Sequence, residues 1–272
     1  MTHTAIFRHR NAPRRGAAKG LATRAALPAA LAGLALAGLA LGGPAQAQEH
    51  KGGIQAQTGN ADLAPFDIIH AKIATEGSHA VFHMAVAGEA GDAYPTALGT
   101  LAGSGGFAYV WPTTIDAAEV GFESGAGILS MAVTAHPDFD DTPLFDENGD
   151  GDTTNDGNVW HSHWVVLGPD EACGPGTLKV IDIPEGATPA LPKTWPGLPL
   201  LIDSPGWQPL FDDETVEVRV AFDDIGAAEA ARFDGVTAGL RVNADLHAPL
   251  LCVVDVFDTA SDDLGLPGEV NR

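Results

Sequence analysis

Positive charge is scarce in this chain. Its 272 residues hold 14 Lys and Arg against 36 Asp and Glu, a net charge of −22. Six of the cations (Arg8, Arg10, Arg14, Arg15, Lys19, Arg24) fall in residues 1–47, which contain no acid. From residue 48 onward, eight Lys and Arg face all 36 acids, a net charge of −28. That balance excludes DNA, RNA and anionic lipid as partners, because each needs a cationic face. Cysteine is nearly absent: Cys173 and Cys252 are the only two. They lack C-x-x-C spacing, so neither a thiolate zinc site nor a dithiol redox site is expected. Walker loop, dinucleotide fingerprint and H-E-x-x-H are missing. Gly103-Ser104-Gly105 is not a nucleophile elbow, since Ala stands at position 102.

The basic start runs into the small-residue apolar segment LPAALAGLALAGLALGG and ends Ala45-Gln46-Ala47. This is the pattern of a signal peptide over 1–47 with an A-x-A cleavage site. It is the one stretch long enough to span a bilayer, so no membrane span is expected after its removal. Arg14-Arg15 resembles a twin-arginine signal, although Gly16-Ala17-Ala18 replaces the usual Phe-Leu; an ordinary secretory signal is the alternative. The expected location is periplasmic or extracellular. In such a compartment two cysteines favour one disulfide, joining the turn-rich DEACGPG segment to the strand-like LLCVVDVF.

Residues 48–64 are polar and Gly/Gln-rich and read as a flexible leader. Residues 65–272 read as a single all-β domain. Ten apolar runs lie at 66–74, 79–87, 106–111, 118–122, 127–135, 158–167, 177–183, 215–222, 237–243 and 249–257, separated by Gly, Pro and Asp clusters. That punctuation predicts an antiparallel β-sandwich, jelly-roll or immunoglobulin-like, of about ten strands. One short helix is expected at 226–233, with Asp224 as its N-cap. Seven prolines between 184 and 209 predict an extended loop, a surface segment or a lid over a site.

Three histidine arrangements point to a transition metal. In the first hairpin, the apolar pattern pairs Ile73 with Ala80, Ala71 with Phe82 and Ile69 with Met84. His70 then lies opposite His83, within reach of one ion. In Val159-Trp160-His161-Ser162-His163-Trp164, period-2 geometry puts His161 and His163 on one face. His136 opens the turn His136-Pro-Asp138-Phe-Asp140-Asp141, whose carboxylates would add charge. Neutral imidazoles suit Cu or Zn.

A calcium site is the second candidate. Asp146, Asn148 and Asp150, with Gly151 sixth, match the opening of an EF-hand loop; Asp152 and Thr154 continue it. Gly157 stands where the bidentate Glu belongs, and adjacent Asp156 is the substitute. With no flanking helices, a structural role is expected.

Two stretches resemble the DOMON-like sandwiches, the group of ethylbenzene-dehydrogenase-type haem-binding and family-9 carbohydrate-binding modules. One is Val216-Glu-Val-Arg-Val-Ala-Phe-Asp-Asp-Ile-Gly226, similar to their "vEvriP…lG" strand and turn; the other is the Asp67…Val86 hairpin. Ala221 replaces the usual Pro. The resemblance implies a haem- or glycan-binding module, with Met84 and Met131 as the haem-ligand candidates. Apolar patterning instead places both methionines in the core. The sequence thus reads as an exported acidic β-sandwich that binds metal ions: a binding module with a structural Ca2+ loop and a His-rich Cu or Zn site. A mononuclear copper or zinc enzyme, or a module for a small molecule, glycan or haem, are the alternatives.

Overall fold

In the computed structural model, residues 52–243 and 249–272 are described. The expected signal peptide over 1–47 and the first residues of the leader lie outside them. Among the described residues no helix is long and apolar enough to cross a membrane.

The chain is built from short antiparallel strands. A five-stranded sheet runs in the order β1 (Ile54–Gln55), β2 (Ile68–Glu76), β3 (His79–Val86), β10 (Thr215–Ala221), β9 (Leu210–Asp212). A second sheet holds β4 (Gly105–Pro112), β5 (Ile128–Ala135), β6 (His161–Pro169), β7 (Leu178–Val180), β8 (Ile202–Asp203), β12 (Val236–Val242) and β13 (Leu251–Thr259). Its order is β5-β4-β12-β13-β7-β6-β8, and β5 also pairs with β6. That last pairing, Ile128↔Leu167 through Thr134↔His161, closes six strands into a barrel. A third ladder joins β11 (Arg232–Phe233) to β14 (Gly268–Glu269). The expected sandwich is therefore corrected in one layer, which is a closed barrel rather than an open sheet.

Alternation along the strands creates two cores. Tyr109, Trp111, Leu129, Met131, Val133, Trp164 and Val166 point out of the barrel wall. They pack on Ile68, Ile73, Phe82, Met84, Val216 and Val218 of the five-stranded sheet. Phe82 sits edge-on to both Trp111 and Trp164, at 6.0 and 5.6 Å. Met84 and Met131 both belong to this core. The intervening residues Ala108, Val110, Ala132, Val165, Leu167, Val236 and Ala238 face the barrel interior. Many of these are small, so the interior is not filled.

Local chemistry explains the departures from the expected elements. The first hairpin turns on two residues, Gly77 and Ser78, with Gly77 at φ +64°, so Glu76 pairs with His79. Glycine at the first central position suits the twist of a tight hairpin. The register consequently sits two residues from the expected one: Ile73 pairs with Phe82, Ala71 with Met84 and His70 with Ala85. A bulge between Ile68 and His70 turns Ile68 rather than Ile69 into the core. The run at 118–122 is not a strand. Asp116 caps the Ala118 amide at 2.9 Å and Gly121 takes φ +105°, giving a 3-10 turn over Ala117–Val120. The leader is not loose in its described part: Ile54 pairs with Ala71, and the Asp67 carboxylate accepts the Gly59 and Asn60 amides. The helix α1 (Ile225–Glu229) forms with the expected cap, Asp224 accepting the Gly226 amide at 3.0 Å, but it stops short of the expected 233, because Arg232–Phe233 pairs as β11.

Cys173 and Cys252 are bridged, across 79 residues of sequence. Closing so long a loop restricts the unfolded chain by about 4–5 kcal/mol in the entropic account. Replacing both cysteines by Ala should lower the thermal midpoint by about 10 °C in non-reducing buffer. An unchanged midpoint would show that the bridge adds no stability.

Candidate metal centre

Strand alternation delivers the first two donors. His161 and His163 are two apart on β6, so both imidazoles enter the barrel interior with Val165 and Leu167. Across the closing ladder, Thr134 pairs with His161 and Ala132 with His163. His136 follows β5 directly, and the turn after it brings back Asp141. These four residues form the single group of three or more His, Cys, Asp or Glu among the described residues whose donor atoms all lie within 4.8 Å.

The distances converge on one point. Asp141 Oδ1 is 3.2 Å from His136 Nε2, 3.1 Å from His161 Nε2 and 3.2 Å from His163 Nε2. His136 Nε2 and His161 Nε2 are 3.0 Å apart. All four side chains are at least 95% buried. Four donors around one ion at 2.0–2.1 Å stand about 3.3 Å from each other in a tetrahedron. The observed separations lie within a few tenths of an ångström of that.

The far nitrogens fix where the lone pairs point. His136 Nδ1 lies 2.8 Å from the Phe139 carbonyl and His161 Nδ1 2.7 Å from the Val159 carbonyl. A carbonyl only accepts, so both Nδ1 atoms carry hydrogen. Ser204 Oγ donates to the Asp141 carbonyl at 2.7 Å, which leaves it to accept from His163 Nδ1 at 3.1 Å. In the neutral rings every Nε2 is then a bare lone pair, and all three face a carboxylate oxygen. His163 Nε2 and Asp141 Oδ1 are buried without a hydrogen-bond partner. Acceptors so arranged repel unless a cation lies between them: protons on the imidazoles, or a metal ion. Burial would push the Asp141 carboxyl up. Were the rings protonated, positive charge on His163 and His136 would outweigh burial and hold it well below the ordinary value. A metal ion would supply the same charge, and Nδ1 bonded to carbonyl or hydroxyl is how ligating histidines are oriented.

The backbone around the centre is held tightly. The His136 ring stacks on Phe139 at 3.8 Å and 2°. Gly157 accepts the His136 amide at 2.6 Å through its carbonyl. A Cβ on Gly157 would fall 1.7 Å from the Phe139 carbonyl oxygen. This contact gives a physical reason for glycine at the position where a calcium loop would carry Glu: the chain passes too close to the His136 turn for any side chain.

Not all expected ligands meet. His70 and His83 lie in the five-stranded sheet, their rings 5.6 Å apart, and do not join the cluster. His70 Nε2 is 2.7 Å from the Gly52 carbonyl. Of the histidines expected to bind a transition metal, His136, His161 and His163 meet, joined by Asp141 from the expected turn, while His70 and His83 stay in their own sheet. In the acidic loop, Asp146 accepts the amides of Gly149, Asp150 and Gly151. Asn148, Asp150 and Asp152 accept the amides of Asp150, Asp152 and Thr154 respectively. Asp156 is buried, accepts the Glu147 amide and gives its own amide to Asp140. The proline-rich segment is not a free lid. Its β8 pairs with β6, and it delivers Ser204, which no spacing in the sequence announces.

His136, Asp141 and His163 stand in the wall of a cavity of ≈ 420 Å³ inside the barrel. Compared with known proteins, the chain matches no family model, no curated protein and no solved structure.

Proposed function

We propose that this chain is an exported metal protein whose barrel holds one Zn2+ or Cu2+ ion on His136, His161, His163 and Asp141. The observation that carries this reading is the convergence of three Nε2 lone pairs on one buried carboxylate oxygen. Three imidazoles and one carboxylate are a donor set for a borderline divalent ion. The disulfide supports export, since such bridges persist in oxidising compartments. The metalloenzyme alternative draws support from the cavity, because reactive metals need an open side. A structural Ca2+ ion in the 146–157 loop is a second, separate reading. It is supported by the wrap of the loop around the Asp146 carboxylate, which accepts the Gly149, Asp150 and Gly151 amides as the opening of such a loop would.

Elemental analysis of the purified protein should give one transition metal per chain. His161→Ala, His163→Ala and Asp141→Asn should each weaken binding by more than 100-fold, while His70→Ala and His83→Ala leave it unchanged. Ser204→Ala, which frees the His163 ring, should cost about 10–100-fold. Equal affinity in wild type and His163→Ala would sink the centre.

Protons compete for the same three lone pairs, so metal affinity should fall as pH is lowered and recover on return. Competition titrations at several pH values measure this; a flat profile contradicts imidazole ligation.

For calcium, added Ca2+ should raise the melting temperature by mass action. Asp146→Ala combined with Asp150→Ala should remove the rise. Wild-type melting that ignores both Ca2+ and chelator excludes the loop as a site.

A further inference from the structure

The cavity beside the metal ligands is apolar over most of its wall. Ala108, Val110, Ala132, Val165, Val236 and Ala238 line it, and no Lys or Arg is among the described lining residues. Its size falls in the range of small-molecule sites. Gly106, Ala108, Ala132 and Ala238 occupy inward positions where larger side chains would have filled a barrel of six strands.

The cavity also has a way out. β13 meets β7 through one residue pair, Cys252↔Lys179, and beyond it Val253–Thr259 has no strand partner on that edge among the described residues. Gly176, Thr177 and Leu178 line the cavity from one side of this seam, Val254 and Val256 from the other. Val254, Val256 and Leu264 are exposed apolar residues at 37%, 53% and 37%, and all three belong to the lining. Asp255, Asp262 and Asp263 stand among them. An acidic rim disfavours anions, and an apolar interior disfavours charge of either sign.

We infer that the barrel binds an uncharged, elongated apolar molecule that enters between β7 and β13 and presents one oxygen donor, as a fifth ligand, to the metal held by His136, Asp141, His161 and His163. This rests on the metal reading above. The apolar body supplies affinity through burial, and the donor head fixes orientation at the ion.

Straight-chain primary carboxamides are suitable probes, having a neutral head with one carbonyl oxygen donor and an adjustable tail. Protein loaded with Co2+ reports coordination through its visible spectrum. Titration with the series from two to eight carbons should change that spectrum, with affinity rising about fourfold for each added methylene, the equivalent of ~0.8 kcal/mol. Ala238→Leu, on the wall away from the ligands, should keep full Co2+ binding and flatten the gain with chain length; Ala108→Leu is the second variant if the first does not fold. A spectrum that responds equally to short and long chains overturns the apolar site while leaving the metal centre intact. No Co2+ uptake overturns the metal reading, and this inference with it.

Discussion

The ladder between β5 and β6 is the constraint on which the rest depends. Without it, β5 would be the edge of an open sheet, and Thr134 and His136 would face solvent. With it, the sheet closes, an edge that would invite aggregation disappears, and the start of β6 lies against the end of β5. Three imidazoles are thereby gathered from two strands. The carboxylate comes from the connection that must return the chain from one strand to the other. Closure and site assembly are one event.

The two cores serve different ends. Between barrel and sheet, large side chains fill space: Phe82 against Trp111 and Trp164, with Met84 and Met131 beside them. Hydrogen bonds cross that layer as well, Trp111 Nε1 to the His83 carbonyl and Thr237 Oγ1 to the Phe66 carbonyl. Deleting any of these aromatic rings would cost about 3–5 kcal/mol. The barrel interior is built differently, from aliphatic side chains with no aromatic ring among its buried apolar residues and with alanines at 108, 132 and 238 that leave room. Stability therefore resides mainly outside the barrel, which frees its inside for polar donors and empty volume.

Much of the strand content was legible, because alternation and turn residues are local signals. The H-x-H pair is the best example: period two alone puts His161 and His163 on one face. The helix cap at Asp224 was equally local. Closure was not legible, since inward and outward alternation is the same in an open sheet and a barrel. The small inward residues at 106, 108, 132 and 238 were the available hint, and they show their meaning only when three strands are aligned. The pairing of His70 with His83 failed because the tight turn at Gly77-Ser78 sets a register two residues from the expected one, so His70 faces Ala85 and His83 faces Lys72. Ser204 carried no signal: a lone serine in a proline-rich segment becomes informative only when β8 docks on β6.

The disulfide ends at Cys252, the one residue of β13 that pairs with β7. A covalent tie at that point leaves the seam free to spread in one direction only, away from the bridge, like a hinge pinned at its top. Any opening there is limited at its closed end by the covalent bridge as well as by the ladder. In the ligand site inferred above, reduction would remove the tie at the closed end of the seam while leaving the cavity wall and the metal donors as they are.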